Sequence, residues 1–146
     1  DHMFVFSEKN QKLYITKYDL NGNLKDEISI KDFHYFDTIY KNDNYLCFSY
    51  DDTIQILNTD TMQLISVKNK QLLSDSANQE YVSIHDILYK NGRIYVSMST
   101  DTGYYTNKLL VIENGKTVYV GTLDFLKIKP TLTELPIVCV PIKFRR

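Results

Sequence analysis

The sequence predicts an all-β chain built from antiparallel four-stranded units, and three observations carry that expectation. A ten-residue string recurs: Asp37 to Leu46 reads DTIYKNDNYL and Asp86 to Tyr95 reads DILYKNGRIY, a spacing of 86 − 37 = 49 residues with Ile39 aligned on Leu88. Periods of this size belong to stacked or radial arrays in which each period is one supersecondary element. Apolar residues also alternate with polar ones at period two, in Leu13/Ile15, Ile28/Ile30, Ile54/Ile56 and Ile94/Val96, which is the pattern of strands with a buried face. Between these runs lie clusters rich in Asn, Asp and Gly: Asp19 to Asn23, Asn42 to Asn44, Asn58 to Thr61, Asn91-Gly92 and Glu113 to Lys116. Such residues tolerate positive φ and close hairpins, so the chain reads as an antiparallel meander.

In order, Phe4 to Ser7, Lys12 to Tyr18 and Leu24 to Ile30 are the second, third and fourth strands of a first unit that lacks its opening strand. A second unit places strands at 36–41, 45–50, 53–58 and 63–68. A third places them at 84–90, 93–99, 108–113 and 117–123. The expected organisation is therefore three units, about 4–30, 31–68 and 81–123, within a segment 4–129. A tail, 130–146, follows. It holds all three prolines, Pro130, Pro136 and Pro141, around an apolar run from Leu135 to Val140. Proline cannot donate to a ladder, so this tail is an edge strand, a strand of a further unit or an extended arm.

The stretch Phe48 to Thr61 ends one strand in a small residue and an acidic turn, alternates through the next, and closes on a Thr/Asp turn. In this it resembles the blade repeats of β-propellers of the YVTN, NHL and tryptophan-aspartate kinds, over roughly residues 4–125. The chain departs from the tryptophan-aspartate pattern in having no Trp and no Gly-His pair. The resemblance implies a partial propeller of about three blades, whereas closed rings take about four to eight. It is then incomplete or part of a larger ring, and self-association through sheet edges or the tail is expected, since an open edge is a template for pairing.

Composition bounds the chemistry. The chain has 146 residues, 43% hydrophobic and 24% charged, with a formal net charge of −1, which is the balance of a globular domain. That net charge and a pI near 6.3 remove the electrostatic case for broad nucleic-acid or anionic-membrane binding, both of which want clustered Lys and Arg. No run of about 18 apolar residues is present to span a bilayer. Cys47 and Cys139 sit in apolar runs and read as buried thiols rather than as a disulfide framework. Asp1, His2 and Met3 read as a cloning remnant, which leaves localisation open.

The propeller resemblance also implies where a site would sit, because the fourth-to-first and second-to-third strand connections share one face. That face would carry His34, Tyr35, Tyr50, Asp51, Asp52, Tyr81, Asp101, Tyr104 and Tyr105, an aromatic and acidic rim suited to a protein or peptide. The same tyrosines could instead pack loop on loop. Ser99-Thr-Asp-Thr-Gly103 matches the first half of the Asp-box of sialidase-type propellers, S-x-D-x-G-x-T-W, but Tyr105 and Thr106 stand where Thr and Trp belong. The match argues for turn structure and not for sugar hydrolysis, which needs an arginine cluster.

Asp37 and Asp86 open the two recurring strings. They either fix turns through backbone N–H groups or point from successive units at a Ca²⁺ ion, as in lactonase-like and lyase propellers. No other cofactor is expected. His34 and His85 lie near the same two places without a patterned third ligand. His85 could act with Asp86 as base and orienter only if the two side chains met, and neighbours on a strand point to opposite faces. No nucleophile elbow or phosphate loop is present. The expected function is thus a non-catalytic recognition or scaffold module with a protein or peptide partner. The alternatives are a fragment of a propeller enzyme or Ca²⁺-binding propeller, and a structural unit completing a larger ring.

Overall fold

The computed structural model describes residues 2–31, 33, 38–73, 81–101 and 105–122, with the backbone alone of Tyr105. Within them the chain forms three antiparallel meanders and a single turn of 3₁₀ helix at Lys70–Leu72. The first sheet has strand order β1-β2-β3, with β1 at His2–Lys9, β2 at Lys12–Asp19 and β3 at Leu24–Ile30. The second is β4-β5-β6-β7, at Ile39–Asn42, Tyr45–Tyr50, Thr53–Asn58 and Leu64–Lys68. The third is β8-β9-β10-β11, at Tyr81–Lys90, Arg93–Asp101, Tyr105–Glu113 and Lys116–Thr122. The all-β, four-stranded antiparallel expectation holds, and the first sheet has three strands as read from the sequence.

Turn chemistry sets these boundaries. Asn91-Gly92 and Asn114-Gly115 both take left-handed backbone, with φ of 52° and 77° and of 51° and 75°. Two consecutive positive φ values match the twist of the strands they join, which is why Asn-Gly closes both hairpins. Asp19 organises the β2–β3 turn: one carboxylate oxygen accepts the backbone N–H groups of Asn21 and Asn23, both at 2.9 Å, and the other accepts the Asn23 amide at 2.9 Å and pairs with Lys25 at 3.0 Å. These contacts, the Asn23 side chain first, hold the Asp19 carboxyl well below the usual carboxylate range. In the β6–β7 turn the Asn58 side chain accepts from the backbone N–H groups of Asp60 and Thr61, and Met62 adopts φ 56° and is buried.

Period-two alternation then places two cores. Leu13, Ile15 and Ile30 of the first sheet meet Leu46, Phe48 and Leu57 of the second. On its opposite face the second sheet sets Cys47, Ile54 and Ile56 against Ile87, Ile94, Val96, Met98, Leu110 and Ile112 of the third. The middle sheet is therefore covered on both faces, and Thr53 to Leu57 of β6 are all buried. Each fully buried Ile or Leu contributes about 1.5–3 kcal/mol by removal from water. Gln55, buried among them, is satisfied by the Tyr50 hydroxyl and the Ser66 hydroxyl, as a buried amide must be. Lys17 Nζ clasps the first sheet to the second by donating to the backbone oxygens of Thr59 at 2.7 Å and Asp60 at 3.3 Å.

Three expectations need correction. The third sheet is longer than read: β8 starts at Tyr81, and β9 and β10 leave only 102–104 between them, so Tyr81, Ser99 and Asp101 are strand residues, not loop residues. The ladder continues because Val82 and Ile84 keep packing inward, with the register shifting between Ile84 and Asp86 to accommodate His85 as a bulge. The first strand of the second sheet lies at Ile39–Asn42 rather than 36–41. Finally, the recurring strings are both hairpins, but they do not superpose at 49 residues. Asn42 pairs with Tyr45 around Asp43-Asn44, whereas Lys90 pairs with Arg93 around Asn91-Gly92, an offset of 91 − 43 = 48. The structural counterpart of Ile39 is thus Ile87, not Leu88.

Candidate functional site

The loop rim read from the sequence divides when its side chains are placed. Tyr50, at the end of β5, is half-buried: its ring meets Phe33 edge-on at 5.3 Å, and its hydroxyl accepts from Gln55 Nε2 at 3.3 Å. Asp52 is bound locally, its carboxylate accepting from the Thr53 hydroxyl at 3.0 Å and its carbonyl accepting from the Asn69 N–H at 2.6 Å. Asp51 is exposed at the hairpin tip with φ 48°. Tyr81 is 59% exposed and lies opposite Asp101 in register, so β8 and β9 end in an aromatic beside an acid. His34, Tyr35, Asp37 and Tyr104, the Tyr105 side chain, Cys139 and Leu135 to Val140 lie outside the described residues.

Of the remaining reactive groups, His85 has a polar neighbour and Cys47 is buried. His85 Nε2 lies 2.9 Å from the Ser99 hydroxyl, across the strand pair at the bulge. Asp86 lies opposite Ser97 in the ladder. Burial pushes the Cys47 thiol up to about 11, which leaves it protonated and a poor nucleophile at neutral pH. Among the described residues no group of three His, Cys, Asp or Glu side chains is placed to hold a metal ion. No helix among them is long and apolar enough to cross a membrane.

A feature the sequence reading missed lies between the second and third sheets. The strands β4 and β8 run side by side, and side chains of β4 satisfy the edge of β8. The Asn42 amide donates to the Ile87 carbonyl at 3.1 Å and accepts from the Tyr89 N–H at 3.3 Å, and the Tyr40 hydroxyl donates to the Ile84 carbonyl at 3.0 Å. Next to this seam, with Tyr89 common to both, a cleft of about 430 Å³ opens, lined by Ile56 of β6, by Ile65, Ser66, Val67 and Lys68 of β7, and by Tyr89, Gly92, Ile94, Ile112, Asn114 and Gly115 of the third sheet. Behind its opening lie Ile56, Ile94 and Ile112, all buried in the core between the sheets. The two Asn-Gly turns form one wall, where glycine leaves the backbone uncovered. At the Lys68 end the sheets are pinned by Asn69 Nδ2 donating to the Thr117 hydroxyl at 2.8 Å, which itself donates to Gln71 Oε1 at 3.1 Å.

No protein-family model matches the chain, and neither a curated protein nor a solved structure matches it.

Proposed function

We propose that the three sheets are blades of a propeller-type array, incomplete in this chain or part of a larger ring, and that the chain is a non-catalytic recognition module for a protein or peptide. The observation that carries this reading is the stack of three consecutive meanders. The second sheet packs one face on the first sheet and the other on the third, with the first strands β4 and β8 close together, and radial arrays repeat antiparallel four-stranded sheets in chain order. A rigid scaffold of this kind presents its connections as a fixed surface. The exposed Tyr81 opposite Asp101 supplies an anchor of the type that dominates recognition. The Ser99 neighbour of His85 and the burial of Cys47 support recognition over catalysis.

The test is panning of a displayed peptide library on the immobilised chain, with Tyr81→Ala as the counter-selection. Peptides enriched on the parent and lost on the variant support the reading. Enrichment indifferent to Tyr81 refutes this face as the binding face.

A second reading, a structural unit of a larger ring, is favoured by the far face of the third sheet. Leu88, Tyr95, Val111 and Tyr119 form one cross-strand row there. The equivalent row in the second sheet is Tyr40, Cys47, Ile56 and Ile65, and its Cys47 and Ile56 lie under the third sheet. Sedimentation of the chain decides it: association that Tyr119→Asp abolishes supports the structural unit, and a monomer at all concentrations rejects it.

A further inference from the structure

On the reading of the chain as a structural unit of a larger ring, we infer that the far face of its third sheet docks on the open face of the first sheet of a second copy, continuing the stack from one molecule to the next. Strand alternation defines both faces. In the first sheet Leu13, Ile15 and Ile30 turn toward the second sheet, so Val5, Tyr14 and Tyr18 turn away from it. Val5 lies in register with Thr16 and Glu27, and Tyr18 with Leu24. Val5 is 39% exposed and Leu24 61%. In the third sheet Ile94, Val96, Leu110 and Ile112 turn toward the second. That leaves the row of Leu88, Tyr95, Val111 and Tyr119 on the far face, with Tyr119 53% exposed. These two faces are the ends of the stack.

A second copy answers both ends at once. The row that carries Tyr95 is the counterpart of the row that carries Cys47, which the second sheet already buries against the third. Charge sets the direction of docking. The first and second sheets are aligned in the same sense: Lys17, near the end of β2, reaches Thr59 and Asp60 just past the end of β6, and Phe33 links Gln11 to Tyr50 at the opposite end. Carried on to a second copy, that alignment brings Lys9 and Lys12, beside the β1–β2 turn, to the end of the far face that holds Asp86 and Asp101. It turns Glu27 toward Lys116 and lays Tyr18 and Leu24 on the apolar row. The reverse alignment would set Lys9 and Lys12 against Lys90, Arg93 and Lys116, cation on cation, which an interface avoids. Head-to-tail contacts close into rings when the rotation allows. Two chains of three sheets each give six, inside the range of about four to eight at which radial arrays close.

The test is complementation between two single-face variants of the full chain, followed by sedimentation velocity and by energy transfer between chains carrying different dyes. The parent is expected to sediment as a two-chain species. Tyr14→Asp blocks the first-sheet face and Tyr119→Asp the third-sheet face, and each alone weakens association by more than about tenfold. Mixed one to one, the variants regain a two-chain species holding one of each, because each keeps the face the other lacks, and that recovery also shows both to be folded. Adding Lys12→Glu to the Tyr119→Asp chain weakens the mixed species about threefold, the scale of an exposed ion pair. Variants that are folded by circular dichroism yet fail to complement overturn the inference, with Val5→Asp standing in on the same face if Tyr14→Asp unfolds. Association that needs Tyr119 but not Tyr14 overturns the head-to-tail pairing and leaves the structural unit standing, whereas a parent that is monomeric at all concentrations overturns both.

Discussion

The hairpins β4–β5 and β8–β9 carry the same Tyr-Lys-Asn string and use it in opposite ways. In the first, Asn42 is the last residue of its strand and its amide spans to the backbone of Ile87 and Tyr89. In the second, Asn91 is a turn residue with φ 52°, followed by Gly92 at 77°. The difference is one residue of register, and one residue turns every side chain to the other face of the sheet. Tyr40 and Tyr89 therefore leave opposite faces of their own sheets and meet in the same seam, Tyr40 bonded to the Ile84 carbonyl and Tyr89 stacked edge-on against Tyr45 at 4.8 Å. Local identity of sequence fixes the kind of element, while the turn residue that follows decides which way it faces.

Core packing gives the largest separation between the two hairpins. Ile39 and Ile87 are counterparts at an offset of 48, but Ile87 is fully buried between sheets whereas Ile39 is half-buried at the margin of the first core. Ile87→Ala is expected to cost about 3 kcal/mol and Ile39→Ala about 1 kcal/mol, since the cost grows with the cavity left behind. Urea unfolding of both variants measures it. Equal losses would show that the two strands are buried alike and would remove the asymmetry.

The asparagines come next. Asn42→Ala leaves the Ile87 carbonyl and the Tyr89 N–H without their partner inside the seam, at about 2 kcal/mol. Asn91→Ala costs about 1 kcal/mol through the strain of alanine at positive φ. Hydrogen exchange sharpens the contrast: the Tyr89 amide speeds up in Asn42→Ala by more than the global loss of stability accounts for, and in Asn91→Ala it changes only in step with it.

A smaller effect probes the cause of the slip. Asp43→Gly gives the first hairpin an Asn-Gly pair at the position where the second has one, and so offers the β4–β5 turn the same early closure. A shifted turn would carry the Asn42 side chain away from β8, so the expected outcome is a net loss below about 1 kcal/mol with faster exchange at Tyr89. A gain in stability with the Asn42 contact intact would show that the clasp, and not the turn residue, sets the register.

These contrasts mark what was legible in the sequence. Strand existence was legible because alternation and turn residues are local: β5 and β6 begin and end where the pattern places them, and Asn114-Gly115 closes the hairpin it was read to close. The slip was not, because an alignment matches letters and does not count how many residues a turn consumes. Tyr50 read as a rim residue, yet its ring is held by Phe33, a contact between separate elements that no local pattern encodes. The cleft was equally hidden, since it brings Ile65 to Lys68 against Gly92 and Asn114. The short last strand of the second sheet and the paired Asn-Gly turns were its visible ingredients, and only their juxtaposition opened it.

The finest distinction is between Cys47 and its counterpart Tyr95, each on the face its sheet turns toward the next position in the stack. Cys47 is fully buried against the third sheet, and burial pushes its thiol up to about 11, while Tyr95, on the far face of the third sheet, stays partly exposed. An unfolded cysteine ionises near its ordinary value, so this site favours folding below that value. The advantage is then lost as pH climbs through the interval up to about 11, because the unfolded chain releases a proton the folded chain retains. The expected result is a urea midpoint that falls over that alkaline range, with a shallower fall in Cys47→Ala. Peptide mapping after exposure to iodoacetamide at pH about 8 should find the peptide bearing Cys47 unmodified until urea is added, since only the thiolate is reactive. Ready alkylation in the native protein would mean that the third sheet opens from the second, and would place the seam, not the two cores, as the weakest element of the stack.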